Sequence, residues 1–289
     1  MLTPILTRSR AFGSIQHRTM ASRVHLPRDS NQALGIAQYA IDFINSDKRI
    51  DDSVYDKIKL FHTDSVVCGI SAIAMKTAAP NILRDEALDF YPVSDSLREK
   101  GKYVSKVFGS NKWVSAEKAI AANSSAVREW DSNGTVFGYN ANIPGHQAGE
   151  FGHNDFYPVV IAGCQNNDNY VGKHALRAMV CLDEIRGRLC EVFSLKTYKI
   201  DHVVHGAIAS AAVYGALMEA TPEQIESAIG MVVAHYVPWR AIRAGKQLSD
   251  SKGASAALST EVAIMSIFRA MNGFAGPKDI FRNPESLFR

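Results

Sequence analysis

Apolar residues recur at helical spacing in nearly every segment of this chain between residues 31 and 274. Side chains three and four positions apart share one face of an α-helix, whereas a period of two is typical of a strand. No alternating run of Val, Ile and Thr next to a hairpin turn stands out in the sequence. The pattern therefore predicts an all-α domain of many packed helices.

The segments with the clearest helical pattern are residues 31–46, 55–75, 115–131, 172–195, 203–220, 221–235 and 253–274. Asn31 is expected to cap the first of them. Thr221, Pro222 and Gln224 together form a strong start signal, with a proline at the first helical position and a capping box. These signals fix where two of the helices should begin.

Two of these segments also carry expectations about packing. Segment 55–75 is nearly apolar after Ser65 and is predicted to be a central buried helix. Segment 203–220 is rich in Ala and Gly, which suits close helix–helix packing and suggests a homodimer. The least regular stretch, residues 90–112, is predicted to be a loop with a short extended piece.

The positive charge of the chain is concentrated at its N-terminus. The formal net charge is +3, and residues 1–28 contain five arginines and no acidic residue. Without those five, 27 basic residues stand against 29 acidic ones, so the remainder is nearly neutral and no nucleic-acid partner is predicted. A stretch rich in Arg, Ser and Thr without acids is typical of a mitochondrial transit peptide. We therefore expect residues 1–28 to direct the protein to the mitochondrial matrix.

Cysteine placement and missing motifs argue against several classes of protein. Cys68, Cys164, Cys181 and Cys190 form no CxxC pair and lie in apolar or helical contexts, which favours buried free thiols. Their spacing does not resemble the clustered cysteines of an iron–sulfur dehydratase. No apolar run approaches the roughly 18 residues of a membrane span. A P-loop and the GxGxxG, GxSxG and HExxH motifs do not occur. The sequence predicts no cofactor, no metal and no membrane partner.

The most polar cluster within otherwise apolar sequence is REWDSNGT, residues 128–135. It ends an Ala- and Ser-rich helix and contains the helix-breaking pair Asn133–Gly134. Asp131 is expected at the C-terminus of that helix, where the macrodipole raises the basicity of a carboxylate and suits it to proton transfer. The alternative is an exposed helix end with solvated charges.

A second polar stretch, GEFGHNDFYP, contains His153. Histidine is the natural general acid or base near neutral pH. The Gly- and Asn-rich loop between Asp131 and His153 is long enough to fold both into one pocket. The alternative is a helix start at Asn154 beside an incidental histidine.

Further candidate residues lie towards the C-terminus. His202 and His205 are three positions apart, but no third metal ligand of obvious spacing accompanies them, so His202 is predicted to face a cleft at a helix start. Arg243, Lys246 and Lys252 precede an Ala-rich helix. Cations before a helix N-terminus suit the binding of carboxylates, and a solvated loop is the alternative.

The segments ANSSAVREWDSNGT, GEFGHNDFYP and LKTYKIDHVVHGAIASAA resemble the MmgE/PrpD family. The similarity runs from about residue 31 to the end of the chain. The family fold is a large all-helical domain with a smaller α+β lid domain. The resemblance implies that residues 29–276 form the helical domain and that residues 277–289 begin a linker. It also implies that the lid domain is absent from this chain.

The same resemblance implies roles for single residues. Asp131 matches the acidic residue of the family's Asp-rich loop motif, and Thr135 matches the threonine four positions further on. His153 matches the histidine of an HPSD-like motif, although Asn and Asp follow it here. These matches imply that Asp131 and His153 are catalytic and that Thr135 binds substrate.

The matches near the C-terminus point to different members of the family. His202 is the best match to a second catalytic histidine of the family. Lys252 matches the lysine of dehydratase-like members, whereas Lys246 better matches that of the decarboxylases. Together with Arg243, these lysines are expected to bind the carboxylates of the substrate.

The family contains metal-independent dehydratases and cis-aconitate decarboxylase. The resemblance implies a hydro-lyase that dehydrates 2-methylcitrate, a small tricarboxylate, to 2-methyl-cis-aconitate in the methylcitrate cycle of propionate catabolism. His153 and Asp131 would be its acid/base pair, in either order. Two alternatives stay open, namely decarboxylation of cis-aconitate and a non-catalytic helical interaction module without the lid.

Overall fold

A computed structural model describes residues 26–98, 103–139, 150–167, 170, 172–243, 248–286 and 288. The chain divides into two compact units, residues 1–30 and residues 31–289. In the first unit, the amide of Ser30 donates to the carbonyl of Pro27 and closes a turn. Most of the predicted targeting segment lies outside the described residues, and its role stays a prediction.

The second unit is helical, which confirms the predicted all-α class. Its longer helices are α1 (Gln32–Asn45), α2 (Asp52–Ala74), α3 (Ala78–Phe90), α5 (Ala116–Arg128), α6 (Tyr157–Gln165), α7 (Gly172–Val192), α8 (Val203–Leu217), α9 (Pro222–His235) and α11 (Ser255–Met271). Two four-residue helices are α4 (Asp95–Arg98) and α10 (Asp250–Gly253). Two antiparallel hairpins pair β1 (Val104–Lys106) with β2 (Trp113–Ser115) and β3 (Gly134–Phe137) with β4 (Glu150–His153).

Two predicted helix starts are confirmed by their hydrogen bonds. Oδ1 of Asn31 accepts from the amide of Leu34 at 3.1 Å. The amide of Gln224 donates to Thr221 Oγ1 at 3.3 Å, and the amide of Thr221 donates to Gln224 Oε1 at 2.9 Å. Each bond satisfies an amide at the helix start that has no acceptor within the helix, and a good cap is worth about 1 kcal/mol.

Helix α8 lies at the centre of the core, so the prediction that segment 55–75 is the central buried helix was wrong. Every residue from Val203 to Leu217 is buried, and α8 packs against α1, α6, α7, α9 and α11. Helix α2 instead leaves Leu60, Val67 and Ile70 exposed. Small Ala and Gly side chains let several helices approach α8 closely. Because α8 is enclosed within its own chain, it offers no face for a homodimer, and the homodimer stays a prediction without an assigned surface.

Among the described residues, no single helix has both the length and the apolar composition of a membrane span. Helices α2 and α3 reach that composition only when they are taken together, and the chain bends by 85° between them.

The chain end after α11 packs against the helical unit. Ile280 and Phe281 are buried in the main core cluster, in a short 3₁₀ turn that contacts α9 and α1. A Cβ atom added to Gly230 of α9 would collide with the carbonyl oxygen of Pro277. The predicted linker starting at residue 277 is therefore packed in its first residues, and the lid domain that would follow stays a prediction.

Replacing Gly230 with alanine is expected to lower the free energy of unfolding by about 1–3 kcal/mol, the usual cost of overpacking. The new methyl group must push the backbone of Pro277 away from α9. The measurement is urea-induced unfolding followed by circular dichroism. Gly35→Ala in α1 is the matched control, because nothing lies within 4 Å of a Cβ atom there. Equal stability of the two variants would show that residues 277–282 do not pack on α9.

Candidate active site

A hairpin that the sequence did not predict brings Asp131 and His153 together. Helix α5 ends at Arg128, and Asp131 then adopts a left-handed conformation with a φ of 53°. Strand β3 follows, and its partner β4 returns so that Gly134 pairs with His153. Nε2 of His153 lies 2.9 Å from Oδ1 of Asp131. The structure thus places these two predicted residues in contact, and their catalytic roles stay a prediction.

Asn154 anchors the hairpin and does not start the next helix, so the interpretation of Asn154 as a helix start was wrong. Its Nδ2 donates to the carbonyl of Phe61 at 2.6 Å and to Asp64 Oδ2 at 3.1 Å. Its Oδ1 accepts from Nδ2 of Asn133. Because these tertiary partners occupy the side chain, α6 begins only at Tyr157. The Asn133–Asn154 bond fixes the positions of Asp131 and His153 relative to one another.

Three nitrogen groups surround the carboxylate of Asp131. Arg128 Nη2 lies 3.1 Å from Oδ1, beside His153, and Lys252 Nζ lies 2.8 Å from Oδ2. Burial alone raises the pKa of Asp131, but the hydrogen bond from Lys252 and the charges of Arg128 and Lys252 outweigh it and lower the pKa. The expected gain in basicity was therefore wrong. Asp131 lies beyond the end of the helix, and neighbouring cations dominate over the dipole.

His153 is neutral at pH 7 because it is buried. Only 2% of its surface is exposed. Burial lowers its pKa to about 4, and the charges of Arg128 and Arg186 act in the same direction. Asp155 and Asp131 oppose this shift without overcoming it. Arg186 Nη1 also donates to the carbonyl of His153 at 3.0 Å and holds the residue in place. A neutral imidazole beside a carboxylate is an arrangement that can accept a proton.

Arg128 is a site residue to which the sequence analysis gave no role. It is 3% exposed, and its Nε lies 4.0 Å from Oδ2 of Asp155. Its Nη1 is buried without a hydrogen-bond acceptor among the described residues. Leaving a buried donor unsatisfied costs about 1–3 kcal/mol, and more for a charged group. Arg128 therefore has one donor available for an anionic ligand.

A cavity of about 190 Å³ adjoins these side chains. Its lining consists of Arg128, Glu129, Asp131, Ser249, Asp250, Lys252 and Gly253. Arg128 and Lys252 thus border one space together with the carboxylates of Glu129, Asp131 and Asp250.

Arg243 lies in a buried cluster that supports Lys252. Its Nε and Nη2 donate to the carboxylate of Asp201, the latter at 3.1 Å to Oδ1. Nη2 also donates to Ser255 Oγ at 2.7 Å, and this hydroxyl donates to the carbonyl of Lys252 at 3.0 Å. Two of the three guanidinium nitrogens are therefore engaged within the protein. Binding of substrate by Arg243 stays a prediction.

His202 occupies the N-cap position of α8, as its predicted place at a helix start requires. Its Nδ1 lies 3.6 Å from Asp201 Oδ1. Burial lowers the pKa of His202, and the charges of Arg243, Arg186 and Arg128 lower it further. Two of these arginines also act on His153, so both histidines lie within one electrostatic environment.

Of the remaining predicted residues that the structure describes, Thr135 and His205 lie outside this site. Thr135 is exposed on β3, and the alternation of side chains along a strand directs it to the hairpin face opposite His153. Lys246 lies outside the described residues. His205 points into the core, where its Nδ1 is 3.2 Å from Cys190 Sγ. Within the described ranges, no three His, Cys, Asp or Glu side chains are grouped to hold a metal ion, and metal independence stays a prediction.

The buried histidines predict that acid destabilises the fold. The unfolded chain protonates histidine near pH 6.5. In the folded protein, burial lowers the pKa of His153 to about 4 and that of His205 to about 3. Between these values the unfolded state binds more protons, so stability is complete above about pH 6.5 and falls as the pH drops towards 4. For His153 alone, the loss at about pH 5 is on the order of 2 kcal/mol.

Urea unfolding midpoints measured between about pH 8 and pH 5 test this expectation. The midpoint should be constant above neutrality and fall below about pH 6.5, and His153→Gln should flatten the curve. A midpoint that rises on acidification contradicts the buried neutral state.

The sequence matches a known protein family, and the helical fold agrees with that match. A family model described as the MmgE/PrpD N-terminal domain matches residues 35–289. The matched range contains α2 to α11 and both hairpins, and with them Asp131, His153, His202 and Lys252. The family includes dehydratases and related lyases. Because the match spans most of the chain, the protein belongs to the MmgE/PrpD family.

Proposed function

We propose that the protein is a metal-independent hydro-lyase that dehydrates 2-methylcitrate to 2-methyl-cis-aconitate in propionate catabolism. One observation carries the proposal. The carboxylate of Asp131 lies between the neutral imidazole of His153, at 2.9 Å, and the ammonium of Lys252, at 2.8 Å. A dehydration needs one group that accepts a proton and another that donates one, and this arrangement supplies both.

The first step removes a proton from a carbon atom beside a carboxylate. We assign this step to His153, because burial holds its pKa near 4 and the imidazole is fully in its base form at pH 7. The adjacent Asp131 is ionised and stabilises the imidazolium that forms, much as a carboxylate supports a catalytic histidine in a hydrolase triad. Asp131 acts here through His153 and Lys252.

The second step breaks the carbon–oxygen bond on the neighbouring carbon atom. Lys252 borders the cavity and donates a proton to the departing hydroxide, which leaves as water. The proton on His153 then passes through the Asp131 carboxylate to Lys252, since each of its oxygens faces one of these groups. One C–H bond and one C–O bond break, a C=C bond and a water molecule form, and the three residues return to their initial charge states.

The carboxylates of the substrate need cationic partners. Arg128 has a buried Nη1 without an acceptor among the described residues, and a substrate carboxylate would satisfy it. Lys246 and Arg243 complete the proposed set of substrate contacts, the latter through Nη1, which has no partner among the described residues. Thr135 lies on the opposite face of the hairpin and is not part of this set. A tricarboxylate suits such local cations although the body of the chain is nearly neutral.

The test is an assay of the purified chain with 2-methylcitrate, in which the conjugated product is followed by ultraviolet absorbance and identified by mass spectrometry. Formation of 2-methyl-cis-aconitate at the same rate with and without a chelator supports the proposal. Chelator-sensitive turnover contradicts its metal-independent mechanism.

A parallel assay with cis-aconitate separates the related activities. Itaconate formation without dehydration of 2-methylcitrate would replace the hydro-lyase by a decarboxylase. A folded chain that turns over neither substrate would favour the non-catalytic interaction module.

The cellular location and the assembly belong to the same proposal. The acid-free, arginine-rich residues 1–28 support import into the mitochondrial matrix, where imaging of a fluorescent fusion with and without them tests the assignment. The homodimer is tested by sedimentation equilibrium of the purified chain.

A further inference from the structure

A cavity of about 530 Å³ shares no lining residue with the candidate active site. It lies between the end of α1 with the following residues 46–50, the start of α2, and the first turns of α7. We call it the α1–α7 pocket. Its volume falls within the range of about 300–1,000 Å³ that is usual for small-molecule sites.

A rigidly held arginine lies in the wall of this pocket. Arg177 is 8% exposed, its Nε donates to the carbonyl of Phe43 at 2.6 Å, and its Nη1 donates to the carbonyl of Lys48 at 2.9 Å. The guanidinium also lies 5.1 Å above the ring of Phe43. These contacts leave Nη2 without an acceptor among the described residues. The protein therefore fixes a cation at the pocket and leaves one of its donors for a ligand.

Charge around the pocket is predominantly positive. Lys48 and Lys173 line it and form no ion pair within the described part of the chain. Arg49 is neutralised by Asp52 at 3.0 Å, and Asp47 is the remaining carboxylate in the lining. Arg177, Lys48 and Lys173 therefore carry three positive charges against the one negative charge of Asp47. The net charge of the pocket lining is +2.

Backbone and hydroxyl groups add further donors. Helix α7 is 21 residues long and begins at Gly172, so the first amides, which lack acceptors within the helix, and the positive end of the helix dipole lie at the pocket. Tyr55 also lines the pocket, and its buried hydroxyl has no hydrogen-bond partner among the described residues. Cations, the amides of a helix start and a hydroxyl together form the donor set of an anion site.

We propose that the α1–α7 pocket binds a small polyanion, a compound with two or more phosphate or carboxylate groups. The fixed guanidinium of Arg177 orients one anionic group, while Lys48 and Lys173 neutralise a second. This site is independent of the proposed dehydration, since none of its residues belongs to the catalytic cavity.

Isothermal titration calorimetry of the full chain tests the proposal with two probes, pyrophosphate and propane-1,2,3-tricarboxylate. We expect the wild type to bind at least one of them, and the stronger probe identifies the preferred anionic group. In the double variant Lys48→Gln/Lys173→Gln, which changes only exposed side chains, Kd should rise about tenfold or more.

Two further variants serve as controls. Lys57→Gln/Lys112→Gln removes the same charge at exposed positions outside the pocket and should change Kd less than about twofold. Lys252→Gln alters only the catalytic cavity and should leave pyrophosphate binding unchanged. The proposal is overturned if the folded wild type binds neither probe. Equal weakening by both double variants, or weakening only by Lys252→Gln, would also overturn it.

Discussion

Replacing His153 with alanine is expected to lower kcat for 2-methylcitrate dehydration about 10²–10⁴-fold, the usual contribution of a general base. The imidazole lies 2.9 Å from Asp131 and is neutral near pH 7, because burial lowers its pKa to about 4. Alanine leaves the ionised Asp131 and the ammonium of Lys252 in place but removes the acceptor for the carbon-bound proton. KM should change much less than kcat, because substrate carboxylates are held by other residues.

The main risk in this experiment is unfolding, since His153 is buried. His153→Gln keeps most of the volume and some hydrogen-bonding capacity, and it should lose activity to a similar extent while its unfolding midpoint stays closer to wild type. His174→Ala, at an exposed histidine in the first turn of α7, should retain full activity. Wild-type kcat in a folded His153→Gln variant would remove His153 from the mechanism.

The helices were predictable because their signals are local. Caps such as Asn31 and the Thr221–Gln224 box involve residues three positions apart, and the structure shows both. The β3–β4 hairpin was not predictable in this way. Each of its strands has four residues, which is too short for a clear alternating pattern, and its register depends on the long-range bond between Asn133 and Asn154.

Burial was harder to predict than helicity. Helices α2 and α8 both have apolar residues on several faces, so periodicity does not show which of them the other helices surround. The small side chains of α8 explain why it is the central helix, because they allow neighbouring helices to approach it closely on every side. Helix α2, in contrast, leaves Leu60, Val67 and Ile70 exposed. That outcome depends on the neighbouring helices, which the local sequence of either one does not specify.

Within the site, the length of the loop between Asp131 and His153 allowed the prediction that the two residues share one pocket. The pKa shifts of the two residues were not predictable from that loop. The helix dipole alone suggested a basic Asp131, but Lys252, which is 121 positions away in sequence, lowers its pKa. Arg186 was detectable in principle, because it continues the buried stripe of Met179 and Leu182 at helical spacing. A charged residue on such a stripe indicates a buried polar partner.

Replacing Asp201 with alanine is expected to lower the free energy of unfolding by about 3–5 kcal/mol, because it breaks a buried ion pair. Asp201 has no exposed surface, and both of its oxygens accept from Arg243, which is itself largely buried. Oδ1 also accepts from the amide of Val203 at the start of α8. The variant leaves the guanidinium with Ser255 as its remaining side-chain partner. Urea unfolding of wild type and variant measures the loss.

A double variant distinguishes the loss of the ion pair from the loss of packing. Arg243→Met alone should destabilise the fold by a similar amount, because it leaves the Asp201 carboxylate buried without its counter-ion. Asp201→Ala/Arg243→Met removes both charges, and its loss should fall short of the sum of the single losses by at least about 1 kcal/mol. Glu184→Ala, which breaks the exposed pair with Arg188, should cost less than about 0.5 kcal/mol. Additive losses at Asp201 and Arg243 would mean that the two side chains stabilise the fold independently, and that Arg243 is free to turn towards the substrate.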